Sequence, residues 1–160
     1  MTTFLIFLHV VAAILLLGPV VVSTSMFPRQ VAESRAGGEE ATGRASVLYR
    51  ITKTYGMLSL LVPLLGGAVL ASDWETYKAN YWFHTAIVLS VIAWAILLAM
   101  VIPQQRKMMG TLGALPAADA DPSDVTNNFE KSKAKATAGA GIFNLLWMLT
   151  LILMFLPTPA

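Results

Sequence analysis

Four apolar stretches without a single Asp, Glu, Lys or Arg occupy residues 3–27, 54–71, 82–103 and 140–156. Each has about the length a helix needs to cross a hydrocarbon core roughly 30 Å thick, at ~1.5 Å of rise per residue. A helix in water keeps a polar face, and these stretches have none. The chain is 56% hydrophobic and 12% charged, about half the charge of an ordinary soluble domain. The expected fold is all-α: a four-transmembrane-helix bundle in a single membrane domain, residues 1–160. The first run lacks a basic start and a small-x-small cleavage site, so it reads as an uncleaved span rather than a signal peptide.

Charge sets an expected orientation. Of the 11 basic residues, Arg29, Arg35, Arg44, Arg50 and Lys53 lie between spans one and two. Arg106, Lys107, Lys131, Lys133 and Lys135 lie between spans three and four, and Lys78 alone lies between spans two and three. The positive-inside rule places the basic connections 28–53 and 104–139 in the cytoplasm and both termini outside. Trp74, Tyr77, Tyr81 and Trp82 then mark the outer interface, and Tyr49 and Tyr55 the inner one. The distribution signals orientation in a membrane, not nucleic-acid binding. Pro28 and Pro103 are expected to close spans one and three. Residues 28–47 begin rich in turns, and residues 104–120 are expected to be irregular. Asp121-Pro122-Ser123-Asp124 reads as a helix start, with a capping residue, a proline and an acid in the first turn.

The halves of the chain share features. His9 precedes Pro28 by the same interval that separates His84 from Pro103. Gly56-Met57-Leu58-Ser59-Leu60-Leu61 matches Gly141-Ile142-Phe143-Asn144-Leu145-Leu146 in residue type. A two-plus-two parallel repeat is one reading, and chance similarity of apolar segments is the other.

Few side chains carry chemistry. His9 and His84 are the only histidines. Within spans, two histidines at similar depth suit axial ligation of a haem or contact with a quinone, or plain hydrogen bonding between helices. Ser59 and Asn144 are expected to pair between spans two and four. Gly18-Pro19, and Pro63 with Gly66 and Gly67, mark kinks that either line a transport site or allow close packing, to which Gly141 also contributes. With no cysteine, thiolate metal sites and nucleophiles are excluded. Catalytic signatures such as Gly-x-Ser-x-Gly or His-Glu-x-x-His are absent, so no enzyme activity and no resident metal or cofactor are expected.

The segment Phe7-Leu8-His9-Val10-Val11-Ala12-Ala13-Ile14-Leu15-Leu16-Leu17-Gly18 resembles the opening of a bacterial group of small four-helix integral membrane proteins with a His-Val-x-x-Ala-x-x-x-x-Gly start. That resemblance implies a multi-pass protein of the bacterial plasma membrane. Copper-resistance-type membrane proteins start similarly, but this chain lacks their Met- or His-rich clusters. In length, span number and Ala/Thr-rich style the chain is also similar to a small accessory subunit of the actinobacterial supercomplex that joins a cytochrome bc complex to a cytochrome oxidase. This likeness implies a non-catalytic accessory or assembly role, with other integral membrane subunits and lipids as partners. The alternatives are a haem- or quinone-handling redox protein that uses His9 and His84, and a small transporter.

Overall fold

The structure, a computed structural model, describes residues 1–156, all of them in helices, turns and loops. Four long helices carry the apolar runs: α1, Thr2–Arg35; α2, Glu39–Ser72; α3, Tyr81–Thr111; and α4, Phe129–Phe155. All four are long and apolar enough to cross a membrane. A single helical turn, Trp74–Tyr77, joins α2 to α3. Each helix packs antiparallel to the next, and α4 returns to α1, so the bundle closes in chain order. Its apolar segments bury little of themselves; in α1 only 11% of the most apolar window is inside the protein. Those outward faces carry Phe7, Ile14, Leu64, Val88, Leu145 and Met148, which is what helices solvated by hydrocarbon need.

The prolines do not end the helices. Pro28 lies inside α1, which continues to Arg35, and Pro103 sits in the first turn of the last α-helical stretch of α3, which continues to Thr111. The reason is packing on both sides of each proline. Phe27 and Val31 flank Pro28, are fully buried, and belong to one cluster with Tyr49, Met108, Met109 and Phe129. Proline repels the carbonyl four residues earlier; at Pro19 and Pro103 the chain widens there, whereas at Pro28 it stays α-helical. The carbonyls opposite Pro19 and Pro103 belong to Leu15 and Ala99, each at the centre of a π-turn, Ala13–Leu17 and Leu97–Val101. Opposite Pro63 the helix breaks at Ser59-Leu60.

Because α1 and α2 outrun their apolar segments, the turn between them shrinks to residues 36–38. Gly37, at φ 98°, supplies the left-handed conformation that closes α1. Above the apolar core the two helices form a polar stem: Ser34 and Thr42 share a hydrogen bond of 2.5 Å, and Arg44 donates to Gln30 at 2.6 Å. Deeper in, the Ser23 and Thr52 hydroxyls meet at 2.9 Å, and Trp94 Nε1 on α3 donates to the Gly56 carbonyl at 3.1 Å.

Asp121-Pro122-Ser123-Asp124 does not start a helix. Asp121 accepts from both the backbone N–H and the hydroxyl of Ser123, a local turn that consumes its capping capacity. α4 starts instead at Phe129, where the Asn128 side chain accepts from Lys131 N–H. The segment 112–128 folds back over the basic end. Arg106 donates to Asp124 at 2.5 Å and Lys53 to Asp119 at 2.7 Å. The Lys53 ammonium beside Asp119 holds its carboxyl below the usual carboxylate range, and Lys133 does the same for Glu130. A carboxylate with a depressed pKa stabilises the fold above its unfolded value, and that contribution is lost as pH falls through the folded value. Segment 112–128 is therefore expected to loosen only below about pH 4 and to stay unchanged through neutrality. Hydrogen exchange of this segment against pH checks this, and loosening between neutrality and the carboxylate range would contradict it.

Candidate functional site: an apolar cavity between the first and last helices

Small residues at facing positions leave a gap in the bundle. On α1, His9, Ala13, Leu17 and Val21 recur every four residues, beside Ile14 and Gly18. On α4, Gly141, Asn144, Met148 and Leu151 present the opposite wall. Pro63 and Gly66 of α2 and Ser90 of α3 close the back. The resulting lateral cavity is about 850 Å³, within the usual range for small-molecule sites. It opens sideways on the apolar surface between α1 and α4, where Ile14, Gly18, Gly141, Leu145 and Met148 are exposed. From Gly141 to Met154 it runs along roughly 20 Å of α4. No Asp, Glu, Lys or Arg lines it.

Its polar groups lie mostly on α4. Asn144 donates through Nδ2 to Ser25 Oγ at 3.1 Å. Ser25 already gives its own proton to the Val21 carbonyl at 2.7 Å, so its oxygen can only accept from Asn144. That fixes the amide: Asn144 Oδ1 is the end left over, buried and without a partner. Trp147 Nε1 and Thr150 Oγ1, three and six residues on, are also buried and unpartnered. Each such group is destabilising by about 1–3 kcal/mol when left unpaired. Only two other side-chain atoms among the described residues share this condition, Tyr49 Oη and Gln105 Oε1, both at the basic end. Three of the five therefore belong to residues lining one cavity.

The histidines do not share a site. His9 lines the cavity, and its Nδ1 donates to the Val62 carbonyl at 3.0 Å, which leaves Nε2 as the lone-pair nitrogen of the neutral ring. Its imidazole fits because Gly66 has no side chain; a Cβ there would stand 3.3 Å from His9 Cε1. His84 lines no part of the cavity. It bonds its own helix through Asn80 O at 2.9 Å and lies edge-on to Trp74, ring centres 6.3 Å apart.

Ser59 and Asn144 do not pair with each other. Ser59 donates at 2.7 Å to the Gly56 carbonyl on its own helix, since the break before Pro63 turns it inward. Of the candidate packing glycines, Gly66 receives His9. Around Gly18, Gly67 and Gly141 a Cβ would meet nothing within 4 Å, and Gly18 and Gly141 line the cavity instead. The close helix contacts occur at Gly56, against Leu97, and at Gly139, against Val101 and Met100. Gly139 belongs to the small-residue stretch 138–141 at the entry of span four, whose composition suits close approach of another helix; Gly56 stands out in the sequence only through its match to Gly141. Sequence reasoning passed over Trp147 and Thr150, although their spacing from Asn144 at i+3 and i+6 was the available signal. No protein-family model, curated protein or solved structure matches this chain.

Proposed function

We propose that this chain is a four-span, non-catalytic membrane protein that holds a lipid-soluble guest in the lateral cavity between α1 and α4. One observation carries this reading: an apolar cavity of about 850 Å³, open to the side and without an ionised side chain in its lining, runs between α1 and α4. The basic connections face the cytoplasm, both termini lie outside, and the membrane is the bacterial plasma membrane. The broad apolar faces outside the cavity suit contact with neighbouring integral subunits, as in an accessory component of a larger assembly. A redox role shared by His9 and His84 is less well supported, because only His9 reaches the cavity.

A cavity-filling variant tests the reading. Gly141 lines the cavity and has free space where a Cβ would stand. Gly141→Leu is expected to fold normally and to lose at least about tenfold of any neutral lipophile that co-purifies with the wild-type protein, as read by mass spectrometry of organic extracts. Equal guest content in the two proteins would refute occupancy of this cavity.

A further inference from the structure

We propose that the seam between α3 and α4 at the basic end binds an anionic phospholipid, whose phosphate is held by Lys107, Lys131 and Lys135. Helix register brings the three together. Gly139 of α4 meets α3 closely: a Cβ there would stand 2.9 Å from Val101 Cγ2 and 3.2 Å from Met100 Cγ. The helices are antiparallel, so both lead from this contact to the basic end. Lys107 follows Met100 by two turns, nearly in line with it. Lys135 and Lys131 precede Gly139 by one and two turns. The other edge of α4 faces α1, where Glu130 pairs with Lys133 and with Arg35. Lys131 and Lys135 therefore flank α3. All three lysines are exposed, and among the described residues none of their ammonium groups has a hydrogen bond or an ion pair. Nearby acids are already engaged, Asp119 by Lys53 and Asp124 by Arg106. Three like charges thus converge without a counter-ion from the chain.

Depth identifies the counter-ion. Lys107 lies four residues past Pro103 and Lys135 five before Ala140, the ends of the adjoining apolar runs, or roughly 6–8 Å outside the hydrocarbon. That is the headgroup layer, about 5–8 Å deep on each side of a bilayer. Lys131 starts one turn further out and reaches back on its flexible stem. In the other direction, Ile142 and Leu149 continue from Lys135 at seven-residue intervals and are 45% and 41% exposed. This apolar stripe suits the acyl chain of the same lipid.

The test is native mass spectrometry of the full-length protein released from detergent, comparing retention of phosphatidylglycerol and phosphatidylcholine with the same acyl chains. The wild-type protein is expected to prefer the anionic lipid at least about tenfold, since each lysine near a headgroup contributes roughly fivefold. Combining Lys107→Gln, Lys131→Gln and Lys135→Gln is expected to bring the two lipids within about twofold of each other. Thermal stability should stay unchanged, because these ammonium groups have no protein partner and glutamine forms helix as well as lysine does. A second triple variant, Arg29→Gln, Arg50→Gln and Lys133→Gln, removes the same charge from the same end but off the seam, and is expected to keep the preference. Equal loss in both triples would mean diffuse attraction to the whole basic end and overturn the site, as would an undiminished preference in the first triple. Equal retention of the two lipids by the wild type would overturn lipid binding outright and leave the lysines to an acidic protein surface. Displacement of phosphatidylglycerol by an equal concentration of glycerol phosphate would overturn the lipid assignment in favour of a soluble phosphate.

Discussion

Replacing Phe129 with alanine is expected to destabilise the protein by about 3–5 kcal/mol, whereas Phe143→Ala should cost only about 1–2 kcal/mol. Both side chains are buried, and the difference lies in the solvent each meets on unfolding. Phe129 begins α4 in the polar end and packs with Phe27, Val31, Tyr49 and Met108. The Arg35 guanidinium lies 4.6 Å over its ring, worth a further ~0.5–1 kcal/mol. When this end unfolds, the ring enters water, so truncation loses both the transfer free energy and the contacts around the void. Phe143 sits within the fourth apolar run, against Leu17, Val20 and Leu97. A helix that separates in the membrane leaves its phenylalanine in hydrocarbon, so only the packing loss remains. Reversible unfolding in mixed micelles measures both variants. Equal losses would contradict the division of the molecule into a wet end and a lipid-embedded bundle.

The second large effect concerns two glycines of the same type in opposite surroundings. Alanine is ordinarily the better helix former by about 1 kcal/mol. At Gly141, where a Cβ meets nothing within 4 Å, Gly141→Ala should stabilise by up to about that amount. At Gly110 a Cβ would land on the backbone carbonyl of Asp124. Backbone cannot move aside as a side-chain tip does, so segment 112–128 must lift from α3. The hydrogen bond from Thr126 N–H to Thr111 Oγ1 and the Arg106–Asp124 pair are then disturbed. Gly110→Ala is expected to cost about 1–3 kcal/mol or more and to speed hydrogen exchange across 112–128. A stabilising Gly110→Ala would show that the segment does not pack on α3 as described.

The four helices were legible because uncharged runs of this length have few alternatives. Their ends were less so. Pro28 and Pro103 suggested stops, yet proline's local cost is outweighed where Phe27, Val31, Met108 and Met109 bury themselves together. Asp121 to Asp124 had the composition of a helix start, but its first carboxylate turned to Ser123. The polar residues in the spans were visible as candidates, while their partners were not. Asn144 finds Ser25, 119 residues away, and that pairing depends on the relative rotation of α1 and α4. The cavity was hidden for the same reason: it arises only when Ala13, Gly18, Gly66 and Gly141 face one another.

The central claim is that lipid surrounds these helices. Because the chain has no cysteine, one can be introduced at any position without background. Leu64 is 59% exposed on the protein surface and lies outside the cavity, and Glu75 is exposed on the connection between α2 and α3. In native membranes opened to both faces, a water-soluble maleimide is expected to label Glu75→Cys rapidly and Leu64→Cys at least about a hundredfold more slowly. Protein folding alone does not cover Leu64, so only membrane hydrocarbon can shield it. Equal labelling of the two positions would contradict the account.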